Sequence, residues 1–269
     1  MTAQATAPEP AAVVASVARA QSRMRLVFRT KFALVWMVLV VGIGALMWIA
    51  GRVNPNFIAQ SGPFIVGGAG VTIIVCLLSI TFATILAMIG AIARLSANPY
   101  VNAVASFYVS LVRGTPLLVQ IIFIFYALPQ LGIVLPAIPA GIIALSFNYG
   151  AYMTEIFRAG IQAVPRGQRE AAAAIGMPEQ LVMRRIVLPQ AVRIVIPAIG
   201  NDFVAMLKDS ALVSVIAVPE LLWRAQRVGT SALQPMTALL IAALVYWILT
   251  IVFSFFQERL ERRMARSDR

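Results

Sequence analysis

EAAAAIGMPEQLVMRRIVLP, Glu170 to Pro189, is a mostly polar island between long apolar runs. Arg166 to Ile175 is dense in Ala, Glu, Gln and Arg, residues that lose little conformational freedom in a helix. Gly176 stands where a short helix should end, because glycine accepts the left-handed cap without a Cβ clash. Pro178 suits the first turn of a second short helix, and Pro189 is expected to punctuate its far end. The stretch reads as a bent pair of small helices, ringed by Arg166, Arg169, Arg184 and Arg185, that docks at a membrane face.

The membrane follows from what surrounds the island. The 269 residues are 61% hydrophobic and 12% charged, with a mean hydropathy of +0.88. A soluble domain carries about a quarter charged residues, so half of the expected charge is missing. Several apolar runs reach the roughly 20 residues needed to cross a bilayer. The fold class is therefore all-α integral membrane. A net charge of +12 could mark a nucleic-acid binder, but the basic residues gather at the ends of apolar runs. Arg19, Arg23, Arg25, Arg29 and Lys31 precede the first run; Arg259, Arg262, Arg263, Arg266 and Arg269 follow the last. That is the positive-inside pattern, which predicts both termini in the cytoplasm and lipid, not nucleic acid, as the partner.

Residue types exclude several chemistries. Histidine is absent, which removes the commonest general base and the usual zinc and triad sites. The single cysteine, Cys76, cannot form an intramolecular disulfide and reads as a small buried hydrophobe. No catalytic residue and no metal site are expected.

Along the chain, residues 1–31 read as a basic cytoplasmic tail, disordered to about Gln21, and residues 32–50 as the first span. That segment is not a signal peptide, because it lacks the small-residue cleavage pattern. Gly51 to Pro63 is an expected outer loop, followed by span two (Phe64–Ala93) and span three (Tyr100–Leu128). Pro129, Pro136 and Pro139 mark a second outer loop before span four (Ala140–Val164). After the island (165–189) comes span five, Leu188 to Val218, expected to be irregular at Pro189 and Pro197 and to unwind after Gly200. Pro219 to Gln234 is a third outer loop, Pro235 to Phe256 is span six, and residues 257–269 form a second basic tail. Only Arg52, Arg224 and Arg227 then face outward, in accord with the charge rule.

The spacing Glu170-Ala171-Ala172, three residues, Gly176, nine residues, Ile186-Val187-Leu188-Pro189 resembles the EAA signature of permease subunits of ABC importers. In that family the segment is a cytoplasmic coupling helix that fits a cleft on a separate ATPase subunit. The resemblance makes Glu170, Ala171, Ala172, Gly176 and the adjoining Arg169 the ATPase-coupling residues. The chain has no GxxxxGK[ST] phosphate loop, its only lysines being Lys31 and Lys208, so ATP and Mg belong on the partner ATPase. One coupling stretch per chain, against two nucleotide sites, implies a dimer of permease subunits, with a second copy or a related chain. Three further blocks are LVRGTPLLVQIIFIFYALPQ (Leu111–Gln130), NYGAYMTEIFRAGIQAVPRG (Asn148–Gly167) and GNDFVAMLKDSALVSVIAV (Gly200–Val218). They resemble the polar amino-acid uptake branch, the relatives of histidine and glutamine permeases. The resemblance implies a type I ABC importer transmembrane domain over residues 64–256 in a bacterial inner membrane. It implies an amino-acid substrate handed over by a periplasmic binding protein. The family core has five spans, so residues 32–50 form an added N-terminal helix.

Intramembrane polar residues are the candidates for the substrate path. On a straight span Arg113 lies about 20 Å from Tyr100, where a charge costs at least about 2.5 kcal/mol unless it faces a cavity or a partner. It either packs as an ion pair or meets the substrate carboxylate. Glu155 is the natural opposite charge, either paired with Arg158 three residues on or lining the path. Its depth argues against a direct Arg113–Glu155 pair. Thr115, Gln120 and Asn148 can supply hydrogen bonds to substrate or between helices. Asp202 stands where the family commonly has a neutral or longer side chain. Lys208 and Asp209, adjacent and so on different helix faces, form a charged cluster suited to inter-helix or inter-subunit bridging. The competing function is an ion-gradient-driven secondary transporter, whose inverted internal repeat is not evident in the sequence.

Overall fold

The computed structural model describes residues 10–51 and 53–265. The first nine residues of the expected tail, Arg52 and the last four residues lie outside them. Among the described residues the chain is helical, without a strand. It divides into two units, one holding α1 (Pro10–Gly51), the other everything from Asn54 onward.

The second unit holds α2 (Pro55–Val66), α3 (Gly68–Leu95), α4 (Pro99–Arg113), α5 (Leu117–Ala127), α6 (Ala137–Gln162), α7 (Arg166–Ala174), α8 (Glu179–Val182), α9 (Leu188–Asp209), α10 (Leu221–Ser231) and α11 (Pro235–Ala265). Proline is the first residue of α2, α4 and α11, where its missing N–H costs nothing, and the residue just before α5, α6, α7 and α8. Asn54 and Asn98 each precede such a proline, and their side chains accept from the next free backbone N–H groups at the starts of α2 and α4. This cap turns most of the expected first outer loop into helix, with Pro63 carried inside α2. The expected loop after Pro219 is likewise mostly α10, capped by Glu220. The tail expected to be disordered to Gln21 is helical from Pro10, as its Ala, Gln and Arg content allows.

The centre of the unit is α6, packed against α3, α4, α5 and α9. Val75, Cys76, Ala83 and Ala87 of α3 meet Ala144, Leu145, Tyr149 and Met153 of α6 and Met206 and Leu207 of α9. A Cβ at Gly90 would collide with the Thr154 side chain, so the glycine sets how closely α3 and α6 approach. A second core joins α2, α10 and α11 through Phe57, Ile65, Leu221, Ala225, Ala238 and Ala242. Cys76 is buried, as expected.

Among the described residues three segments are long and apolar enough to cross a membrane: Arg23–Leu46, Pro55–Leu95 and Pro235–Met264. The expected third span is not continuous. Its halves, Pro99–Arg113 and Leu117–Leu131, meet at 108°, and counted together they make a fourth candidate. Gly114, Thr115 and Pro116 occupy the bend, where proline drives the preceding residue out of the helical region. The expected fourth and fifth spans, α6 and α9, are less apolar, since Asn148, Glu155 and Arg158 fall on one and Arg193, Asp202, Lys208 and Asp209 on the other. Enclosure by other helices relieves α6 of the need to be apolar all round. In α9 the expected unwinding after Gly200 does not occur. The helix runs through Pro197 to Asp209 and tightens into a 3₁₀ segment only at Ser210–Ile216.

Candidate functional site

The island folds as two short helices. Arg166–Ala174 is α7, and Gly176 follows with φ +76°, the left-handed cap expected of it. The turn is closed by Gly176 N–H to the Ala173 carbonyl and Met177 N–H to the Ala172 carbonyl, 2.9 and 3.0 Å. Pro178 precedes α8. Pro189 does not end the second helix. A wide turn over Met183–Val187 runs on into α9, and Pro189 follows directly after it.

This hairpin has two faces. Inward, Ala172 is 3% exposed and packs in a cluster with Ile161 and Val164 from the end of α6, Val182 and Val187, and Ala191 of α9. The guanidinium of Arg169 donates through Nη2 to the Ile161 carbonyl at 2.9 Å, tying α7 to the C-terminal turn of α6. Its Nε is buried with no partner among the described residues. The Gln190 side-chain amide donates to Gln168 Oε1, tying α7 to α9. Outward, Glu170, Ala171 and Gly176 are exposed, and Ile175 projects with 78% of its surface free. Ala171 and Ala172, grouped together by sequence, therefore differ: the first is exposed and the second buried.

The polar residues of the helices fall into three groups. At the α4–α5 bend, Gln120 Nε2 donates to the Val112 carbonyl and to Thr115 Oγ1, both at 2.8 Å. Asn148 of α6 donates to Gln120 Oε1 at 3.1 Å. Thr115, Gln120 and Asn148 thus form one network. Beside it the exposed Arg113 guanidinium lies 5.2 Å from the centre of the Tyr152 ring, one turn beyond Asn148 on α6. Arg113 makes no ion pair among the described residues.

Glu155 stands apart from that network. It is 18% exposed, and both carboxylate oxygens are taken: Oε1 by Arg94 at 3.1 Å, Oε2 by Arg158 at 2.6 Å. Arg94 also donates to Ser106 of α4, so the cluster joins α3, α4 and α6. Of the two readings left open for Glu155, the pairing with Arg158 is present, and no Arg113–Glu155 ion pair occurs among the described residues. Arg94 was missed because it lies 61 residues away in sequence.

On α9, Asp202 has a buried Oδ2 without a hydrogen-bond partner among the described residues. Asp209 accepts from the Tyr149 hydroxyl of α6 at 2.7 Å. Lys208 is exposed and pairs with neither acid. The expected charged cluster is thus an Asp209–Tyr149 bridge between α9 and α6, with Lys208 on another face. Sequence reading also missed Glu220, which is fully buried, accepts from Trp223 N–H at 2.7 Å and from the Tyr246 hydroxyl of α11. Burial lifts its carboxyl above the usual range, against the opposing pull of those hydrogen bonds. The sequence signal was Pro219-Glu220 ahead of an apolar pair, a helix start.

Residues 83–266 match the family described as binding-protein-dependent transport system inner membrane component. The L-cystine transport system permease protein TcyB of Bacillus subtilis (strain 168) is 44% identical over 205 residues, 76% of this chain and 88% of that protein. The arginine transport system permease protein ArtQ of the same organism is 36% identical over 77% of this chain and 94% of its own length. A crystal structure described as an amino acid ABC transporter with histidines superposes with a TM-score of 0.75 at 37% identity, covering 78% of this chain and 99% of that one.

Proposed function

We infer the function from the premise that this chain belongs to the binding-protein-dependent transport system inner membrane components: it is the permease subunit of an ABC importer, and its substrate is an amino acid or a close analogue. The observation that carries the reading is the two-faced hairpin. Its inner face grips the ends of α6 and α9 through Ala172, Arg169 and Gln190, while Glu170, Ala171, Gly176 and Ile175 stay free on the outer one. A body docking on the outer face would push on the two helices that carry Asn148, Glu155, Asp202, Lys208 and Asp209.

Transport proceeds by alternating access. A separate ATPase binds ATP and Mg and closes, the coupling helices of two permease subunits move together, and the path opens toward a periplasmic binding protein; hydrolysis resets it. The second permease is another copy of this chain or a related one. The chain sits in the bacterial inner membrane as a multi-pass protein with both termini in the cytoplasm. Arg113, unpaired beside the Thr115–Gln120–Asn148 network, meets the substrate carboxylate. Asp202, with its buried free oxygen, takes an ammonium group. Glu155 closes the path from the side through its two arginines. An ion-gradient mechanism has no support here.

The test is uptake of a panel of labelled amino acids into proteoliposomes holding the permease, its ATPase and its binding protein. Wild type is compared with Glu170→Lys. ATP-dependent uptake of one amino-acid class that collapses in the variant, with the subunits still present, is the expected result. Flux that needs no ATP and ignores the substitution would overturn the reading.

A further inference from the structure

The helix α1 lies outside the residues matched by the family, and its basic end has a composition that nothing in the adjoining sequence balances. Arg23, Arg25, Arg29 and Lys31 fall within nine residues, and no Asp or Glu occurs between residues 10 and 154. All four cations are exposed. Positive-inside topology alone would ask only that they stand at this end of the span. Their arrangement around the helix is more specific. At 100° per residue, Arg25, Phe28, Arg29, Phe32 and Trp36 share an arc of about 100°, while Arg23 and Lys31 point elsewhere. Along that arc the rings form a ladder, Phe28 to Phe32 and Phe32 to Trp36 each 6.1 Å between centroids. The rings are free, Phe28 with 68% of its surface exposed and Trp36 with 49%.

We propose that this face of α1 is a binding site for an anionic phospholipid of the leaflet at the basic end of the helix. Arg25 and Arg29, about 6 Å apart along the axis, hold the phosphate; guanidinium forks suit that geometry. Phe28, Phe32 and Trp36 continue the same face toward the apolar length of the helix and receive the start of the acyl chain, where aromatic residues settle at a membrane interface. The occupant is a lipid because charge and apolarity run in series along one stripe: a soluble anion would use only the arginines, and a second transmembrane helix only the rings.

The test removes the same charge from two different faces. The full chain in detergent micelles is given equimolar phosphatidylglycerol and phosphatidylcholine, and retained lipid is counted by native mass spectrometry. Wild type should retain phosphatidylglycerol selectively. At about fivefold per cation near a charged headgroup, Arg25→Gln with Arg29→Gln should cut that selectivity by about tenfold or more. Arg23→Gln with Lys31→Gln should cut it clearly less, since those cations lie off the stripe and act only through the general field. Phe28→Ala with Phe32→Ala should weaken retention of both lipids while leaving the headgroup preference. Equal losses from the two charge pairs, or no preference in wild type, would overturn the site and leave topology as the sole role of these cations. In bilayers, brominated phosphatidylglycerol should quench wild type more than Trp36→Phe. Quenching that the Trp36→Phe substitution leaves unchanged, because a partner protein shields the face, would overturn it as well.

Discussion

Replacing Ala172 by aspartate should open the coupling hairpin, while the same change one residue earlier should not. Ala172 is 3% exposed among Ile161, Val164, Val182, Val187 and Ala191. A carboxylate there would be enclosed by those apolar side chains, and the Arg169 guanidinium one turn earlier is already tied to the Ile161 carbonyl; a charge buried in this way costs several kcal/mol even after relaxation. The hairpin has a cheaper alternative, which is to detach from α6 and α9 and expose the charge to water. Taking about 3 kcal/mol for the burial, the opened population rises by about two powers of ten. Arg166, Arg169, Arg184 and Arg185 supply trypsin sites in or beside the hairpin, and a helix must open before it is cut. Limited trypsinolysis of the full chain in micelles should therefore cut Ala172→Asp about a hundredfold faster than wild type, and Ala171→Asp at nearly the wild-type rate. Equal rates for the two variants would refute the inward and outward assignment of these adjacent residues.

Other consequences follow from single contacts. Gly176→Ala places a side chain at φ +76° where a Cβ would meet nothing within 4 Å. Its cost is therefore backbone strain alone, about 1–2 kcal/mol, read as faster trypsin cutting of the hairpin, with Gly176→Asn milder. Gln120→Leu leaves Asn148 and the Val112 carbonyl without their partner. It should cost about 1–3 kcal/mol, and the Gln120→Leu, Asn148→Leu double variant should cost less than the sum, as melting of the purified chain would reveal. Glu155→Gln strands Arg94 and Arg158, both about a quarter exposed, for a loss of about 2 kcal/mol after allowing for solvent. Arg94→Met should lower the melting temperature less than Glu155→Gln does, because Glu155 keeps Arg158.

What the sequence revealed, and what it hid, divides by range. The island was legible because its signals are local: helix formers to Ile175, a left-handed glycine, a proline at the next helix start. The break in the expected third span had a local sign, a glycine and a proline at Gly114-Thr115-Pro116, but its 108° angle had none, since a bend takes its size from what α4 and α5 pack against. Prolines misled where position decides their effect. Pro189 follows a widened turn and is carried on into α9, and Pro63 lies inside a helix already capped by Asn54. The spacing of Arg113 from Tyr100 survives, because α4 runs unbroken to Arg113 and the bend comes after it. Pairings across the fold, Arg94 with Glu155 and Gln120 with Asn148, lay beyond local pattern altogether. Glu220 was hidden by an expected loop that is a helix.

The central claim is that the outer face of the α7 hairpin receives an ATPase. Cys76 is buried and is the only native cysteine, so Ile175→Cys places one accessible thiol at the hairpin's projecting tip. The measurement is its rate of maleimide labelling with and without the assembled ATPase subunit. Protection by about tenfold or more, a threshold corresponding to at least about 1.4 kcal/mol of occlusion, is the predicted result. Labelling at an unchanged rate in an intact complex would contradict it.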